Sequence, residues 1–305
     1  MAEKQVSGTA DGKPIRCRGT LQNFNQDIWM VESVGDFVDE VTEGDVVIPQ
    51  FLAQCRECAV CTSNKSNLCV KFPFEMSLWM HRDGTSRFTD LKGQTLHHFL
   101  FISAFSEYTV VDVTHITKLD AEIPPNRACL LSCGVSTGVG AAWRAANVDE
   151  GSTVAIFGLG VIGLAVAEGT RLRGAKQIIG VDTNTEKYEI GKKFGITDFV
   201  NPMNCLDKSL AEGWGKTIVL GVEKPGTQLS LNSLVILHSG KTLMGSLFGG
   251  LKPKTDIPIL AKSYMDKELQ LDDFVTHEMK FDDINRAFNL LMEGKCLRCV
   301  IWMDK

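Results

Sequence analysis

A chain of 305 residues, 44% hydrophobic and 23% charged, has room for two packed domains and is neither disordered nor fibrous in composition. Its formal net charge of −5, with both signs scattered evenly, leaves no basic surface for nucleic acid. The longest apolar run, 154–167, is broken by glycines and is too short to span a bilayer. The N-terminus, Met-Ala-Glu-Lys-Gln-Val-Ser-Gly, lacks the apolar core of a secretion signal, so ten cysteines predict a reducing, cytoplasmic setting and metal thiolates.

The first half reads as β-rich. Residues 31–38 and 44–49 are short β-branched runs punctuated by Gly-Asp turns. Then come Cys55, Cys58, Cys61 and Cys69 in one polar stretch, at Cys-x-x-Cys-x-x-Cys spacing with a fourth eight residues on. Tetrahedral zinc takes four thiolates at about 2.3 Å, and a site filled by protein leaves no place for water or substrate. The lobe is therefore predicted to hold a structural zinc. Residues 105–112 alternate as another strand, and around Ser132-Cys-Gly-Val-Ser-Thr-Gly the chain turns to helix formers.

From Ser152 the pattern is strand (153–157), glycine turn, helix (161–173), strand (177–182) and helix (185–194), which predicts a parallel sheet. Gly158, Gly160 and Gly163 fall at the first strand–helix junction in a G-x-G-x-x-G pattern. There the first allows a tight turn, the second lets backbone approach a pyrophosphate, and the third lets helix and strand pack closely. The phosphates would sit at the positive end of the helix. Asp182 ends the next strand, nineteen residues after Gly163, where a carboxylate accepts ribose hydroxyls and repels a 2′-phosphate, favouring NAD. Thr183 and Glu186 have the spacing of a capping box for the second helix.

With these motifs stand Asp83-Gly-Thr-Ser-Arg-Phe, His97-His-Phe-Leu, Phe105-Ser-Glu-Tyr-Thr-Val-Val, Gly245-Ser-Leu-Phe-Gly-Gly, Thr276-His-Glu and Leu297-Arg-Cys-Val-Ile. In this order they resemble the zinc-dependent alcohol dehydrogenases of the medium-chain dehydrogenase superfamily, in the plant alcohol dehydrogenase-like and class III branches. The resemblance implies an α/β fold with a GroES-like β-rich catalytic domain and a doubly wound Rossmann coenzyme domain. It divides the chain into 1–134 (catalytic, with the zinc lobe at 55–69), 135–247 (NAD-binding) and 248–305 (return to the catalytic part). It implies that Cys133 is a catalytic-zinc ligand, Thr137 a nicotinamide contact, Lys187 a ribose partner beside Asp182 and Arg298 a pyrophosphate contact. Phe99 and Leu100 become substrate-pocket wall, while His97 and His98 become structural. The implied reaction is hydride transfer from a small alcohol to NAD, by a cytoplasmic homodimer that binds neither nucleic acid nor membrane.

The chain departs from that family in two places. Between Arg18 and Val31 stands a short segment where the family carries a Cys-His-Thr-Asp type motif and a Gly-His-Glu motif. Two of three catalytic-zinc ligands go with them, and one thiolate does not hold a catalytic zinc. Cys17, the nearby thiol, reads as a strand residue of the core. After Cys205 the family's helix, central fourth strand and helix are missing, which leaves ladder groups unpaired or draws the strand at 217–220 inward. The expectation is thus an alcohol dehydrogenase by descent, impaired in this form. The alternatives are an inactive subunit pairing with a full-length dehydrogenase through residues 241–248, an S-(hydroxymethyl)glutathione dehydrogenase-like enzyme, and a zinc-free NAD(P)H reductase, against which Cys133 speaks.

Overall fold

The computed structural model describes residues 14–23, 26–75, 77–103, 106–204, 215–222, 226–228, 230 and 232–303. The expectations for residues around Phe105 and Cys205–Trp214 lie outside them. In chain order the first elements are β1 (Pro14–Asn23), β2 (Gln26–Val34), β3 (Val46–Pro49), α1 (Ala59–Thr62), β4 (Phe88–Thr89), β5 (Thr95–Leu96), β6 (Tyr108–Asp112), β7 (Ile116–Lys118) and α2 (Pro125–Ala128). Then follow α3 (Gly134–Gly140), β8 (Thr153–Phe157), α4 (Val161–Leu172), β9 (Gln177–Val181), α5 (Lys187–Lys193), β10 (Asp198–Val200), β11 (Lys216–Val219), α6 (Ser233–Ser239) and β12 (Thr242–Gly245). The last are α7 (Pro253–Met265), β13 (Val275–Lys280), α8 (Ile284–Met292) and β14 (Arg298–Trp302). Contacts divide the chain into two units, Met1–Cys133 with Lys252–Lys305, and Gly134–Leu251.

The first unit is built on a seven-stranded sheet, β13-β14-β1-β2-β3-β7, with β6 also paired to β1. The segment before Val31 folds into the antiparallel β1–β2 pair, Cys17 opposite Val31 on β2 and Thr109 on β6. Its β2 half carries core residues: Trp29 and Val31 pack with Val41, Val47, Ile102, Val111, Val113 and Ile116. Burying a tryptophan removes about 200 Å² from water. At about 25 cal/mol per Å² that is on the order of 5 kcal/mol before entropy.

A polar knot sits inside this unit. His115 is fully buried, its Nδ1 lies 2.9 Å from the Gln50 carbonyl oxygen, and its Nε2 lies 3.4 Å from Nδ1 of His81. A carbonyl only accepts, so His115 carries its proton on Nδ1. Burial pushes His115 down to about 4, with His81 and Lys254 pushing the same way and the Gln50 carbonyl and Asp112 opposing. Burial and Arg87 likewise push His98 down to about 4, and its Nε2 accepts the Arg87 N–H at 3.2 Å. Between the ordinary 6.5 and about 4, the unfolded chain binds protons at both positions that the folded chain does not. Stability is expected to fall as pH drops through that window and to be insensitive to these groups above it. Denaturant midpoints at several pH values check this; His115→Gln should flatten the acid limb.

The second unit holds the parallel sheet β10-β9-β8, with α4 and α5 as crossovers. Helices α3 and α4 meet at backbone distance: a Cβ on Gly138 would lie 2.4 Å from the Ala165 Cβ, and one on Gly169 would lie 2.8 Å from the Val139 Cα. The parallel pair β11-β12 stands as a separate two-stranded sheet. Among the described residues β11 does not pair with β8. No strand among the described residues pairs with the edge of β8 away from β9, and Thr153, Ala155 and Phe157 are exposed, so water can reach that part of the strand.

Candidate functional site

In the first unit, the Cys55–Cys58 turn is made by Arg56 in a left-handed conformation (φ 63°). It sets Cys58 as N-cap of α1, where its sulfur accepts the Cys61 N–H. The four sulfurs of Cys55, Cys58, Cys61 and Cys69 all lie within 4.8 Å of one another, and none is in a disulfide. Four thiolates about 2.3 Å from one zinc stand roughly 3.8 Å apart, so the cluster fits that ion with a small contraction. Backbone N–H groups already point at the sulfurs: Cys58 N to Cys55 Sγ at 3.3 Å, and Cys61 N to Cys58 Sγ and Phe72 N to Cys69 Sγ at 3.4 Å.

Burial raises the Cys58 thiol, but N–H donors from Cys61 and Val70 and the neighbouring thiols outweigh it and bring it down to about 6. Burial and the Cys58 partner push Cys61 up to about 12, and burial raises Cys69. One thiolate is thus ready near neutral pH, and a cation is what makes the others deprotonate together.

Sequence reasoning missed what anchors this lobe. The Lys252 ammonium donates to the Cys61 carbonyl at 2.8 Å, the Val60 carbonyl at 3.3 Å and the Ser63 carbonyl, holding the open end of α1. It lies 191 residues from Cys61, and no local pattern marks it.

Also in this unit, Cys133 is half-buried and ends the helical turn after α2, with extended φ of −154°. Among the described residues the four-cysteine lobe is the one group of three or more metal-capable side chains, and Cys133 belongs to no such group. Arg298 stands at the start of β14. Its guanidinium is pushed down by burial and held up by the Cys133, Cys129 and Cys296 thiols, and its Nε is buried without a hydrogen-bond partner. Such an orphan donor suits an anion. Phe99 is 56% exposed, whereas Leu100, at φ 51°, packs on the Trp29 core cluster. His98 is the buried acceptor described above, and His97 meets Trp79 edge-on at 4.7 Å.

In the second unit, β8 runs into Gly158 at φ 88°, a left-handed turn glycine tolerates, and its N–H bonds the Val181 carbonyl at 2.8 Å. Gly160 is the N-cap of α4, with nothing within 4 Å of where a Cβ would be. That open cradle, with α4's free N–H groups behind it, fits a pyrophosphate. A Cβ on Gly163 would lie 1.9 Å from the Gly158 carbonyl oxygen. Gly163→Val is therefore expected to open the turn and weaken dinucleotide binding by more than about tenfold, with loss of stability of a few kcal/mol. NADH fluorescence titration and thermal melts check both effects.

Asp182 ties the site's two loops together. Its Oδ2 accepts the Leu159 N–H at 2.7 Å and meets Lys187 Nζ at 3.1 Å, while Oδ1 accepts the Asn184 N–H at 2.9 Å. Burial raises the carboxyl, but these N–H groups and Lys187 outweigh it and hold Asp182 below the usual carboxylate range. The expected Thr183–Glu186 capping box is replaced: Asn184 Oδ1 accepts the Glu186 N–H at 2.9 Å. The turn anchored on Asp182 brings Asn184, rather than Thr183, to the helix entry. Thr137 is buried on α3, with its carbonyl backing onto Gly249.

The alcohol dehydrogenase GroES-like domain family matches residues 29–121. Alcohol dehydrogenase-like 7 of Arabidopsis thaliana is 59% identical over 309 residues, spanning 90% of this chain and 79% of the relative. The chain belongs to the alcohol dehydrogenase family. Alcohol dehydrogenase class-3 of Oryza sativa subsp. japonica is 42% identical, over 90% of this chain and 80% of its own. Among solved structures, an alcohol dehydrogenase zinc-binding domain protein from Burkholderia ambifaria superposes with a TM-score of 0.86 at 23% identity. The match covers 96% of this chain and 92% of that one. The fold is thus the family's GroES-like part and Rossmann part. Against the Arabidopsis relative, 309 aligned positions take in 90% of 305 residues, about 275, so about 34 positions face no residue of this chain.

Proposed function

We propose that this chain binds NAD and one structural zinc, and that its alcohol-oxidising centre is incomplete. The carrying observation is the metal-ligand inventory. Among the described residues the lobe cysteines form a set of four, whereas Cys133 belongs to no group of three or more metal-capable side chains. A catalytic zinc needs about three protein ligands. No set of that size forms around Cys133 among the described residues, so they do not fit that ion. The aligned positions of the Arabidopsis relative that face nothing here are consistent with sequence missing from within the match.

The dinucleotide side is better provided. Gly158, Gly160 and Gly163 shape the phosphate cradle, and Asp182 with Lys187 is placed for the adenosine ribose, with Thr137 and Arg298 as further contacts by family resemblance. NAD, when bound, supplies the hydride acceptor. The site is proposed for a small alcohol or aldehyde in a cytoplasmic protein, with Phe99 and Leu100 as pocket wall.

Zinc per polypeptide by elemental analysis tests the reading. One zinc is expected. Two would mean that a second centre exists, and the claim of impairment would be wrong.

A second reading is a subunit that pairs with an intact dehydrogenase. It is favoured by β12, which pairs with β11 alone among the described residues and is exposed along its length. Co-purification of tagged chain with a full-length family member, lost on Leu243→Pro, is the expected result.

A further inference from the structure

The free edge of β8 has a specific chemistry. Gly158 N–H bonds the Val181 carbonyl, and the Ser152 carbonyl accepts from Lys176 and Gln177, so residues 152, 154, 156 and 158 face β9. Strand alternation then turns the N–H and C=O groups of Thr153, Ala155 and Phe157 to the opposite edge. No strand pairs with that edge among the described residues; β11 pairs with β12 alone. The side chains of the same three residues are exposed, Phe157 to 78%.

Edge strands usually carry a charge, a proline or a bulge that prevents edge-to-edge pairing. Three other edge strands follow the rule: β10 opens on Asp198 and is followed by Pro202, β11 opens on Lys216, and β13 carries Glu278 and Lys280; β12, Thr-Leu-Met-Gly, is a short exception. Strand β8, Thr-Val-Ala-Ile-Phe, has none of these, and its pairing with β9 runs without a register shift. Its composition is that of an interior strand.

We propose that β8 pairs antiparallel with β8 of a second copy of this chain across a two-fold axis. A strand edge is complementary to itself when one copy is turned end for end, so a two-fold pair closes without leaving a further edge at that strand. Ala155 lies on the axis opposite its own mate. Thr153 then lies opposite Phe157 of the other copy, and the reverse, giving three hydrogen-bonded residue pairs that join the two three-stranded sheets into one of six. The Thr–Phe pairs match an aromatic with a β-branched side chain, a favourable cross-strand combination. Because the strand bears no charge, self-pairing brings no like charges together, whereas an acidic or basic partner peptide finds no complementary group on it.

The test is a charge swap at the axis in the full, zinc-loaded chain. Sedimentation velocity should show a concentration-dependent dimer of the unaltered chain. Hydrogen exchange at the amides of Thr153, Ala155 and Phe157 should slow as that dimer forms. Ala155→Lys and Ala155→Glu should each weaken association by at least about tenfold, since two like charges then meet directly across the strands. Mixing the two variants should restore the dimer as a heterodimer, which shows that both remain folded. A monomer at every concentration would overturn the proposal. So would a dimer indifferent to either charge, as pairing through β12 gives. Protection of the three amides in a monomer would mean that β11 closes onto β8 within one chain, and would equally overturn it.

Discussion

Replacing Cys61 with serine is expected to take zinc from one ion per chain to none and to open the lobe around residues 55–72. The four sulfurs lie within 4.8 Å of one another, so removing one leaves a three-ligand set that no longer encloses the ion. Four-ligand structural zinc contributes apparent binding energies of about 10–16 kcal/mol in small domains, so the lobe's order depends on the ion rather than on its few apolar contacts. The substitution isolates the sulfur: Lys252 bonds the Cys61 carbonyl, which serine retains. Elemental analysis and limited proteolysis read the two effects; a variant that keeps one zinc would place the metal elsewhere. The thiols also predict the pH course of loading. Cys58 lies at about 6 and Cys61 at about 12, so zinc must displace protons at neutral pH. Its affinity should therefore rise with pH, and its uptake should acidify a weakly buffered solution.

Alcohol oxidation by this chain is expected to fall at least about 10⁴-fold below that of a family member with a three-ligand catalytic zinc, while NADH still binds. A zinc centre lowers the pKa of bound water from about 15.7 to about 7, and an alcohol is acidified in the same way. Without it, the alkoxide that gives up hydride is scarce at neutral pH, and positioning beside the nicotinamide offsets only part of that deficit. Binding should survive because it rests on other groups: the Gly160 cradle and the Asp182–Lys187 pair lie in the second unit and owe nothing to Cys133. Steady-state turnover with primary alcohols, alongside NADH fluorescence titration, separates the two. Asp182→Ala should weaken NADH by at least about tenfold, because the carboxylate also fixes the Leu159 and Asn184 N–H groups. Turnover within tenfold of an intact relative would show that the catalytic centre had been rebuilt.

The zinc lobe and the glycine turn were legible because each is decided within about fifteen residues. Cysteines three apart on a tight knuckle bring their sulfurs together wherever the knuckle sits, and Gly158 must take a left-handed φ wherever a strand turns so sharply into a helix. The helix entry at Asn184 was not legible, because Thr183 and Asn184 both cap well and the choice between them came from the Asp182 carboxylate. Nor could spacing show that His115 and His81 lie side by side, 34 residues apart, or that Lys252 closes the end of α1.

The sequence by itself determined the family, the four-thiolate site and the dinucleotide turn, since these follow from residue type and short-range geometry. Tertiary structure alone decided that β1 and β2 pair and that Trp29 of β2 fills the core. It alone decided that β11 pairs with β12 rather than with β8 among the described residues. Strand order is settled by which long-range pairs bury the most surface and satisfy the most backbone groups, and no stretch of sequence carries that comparison within itself.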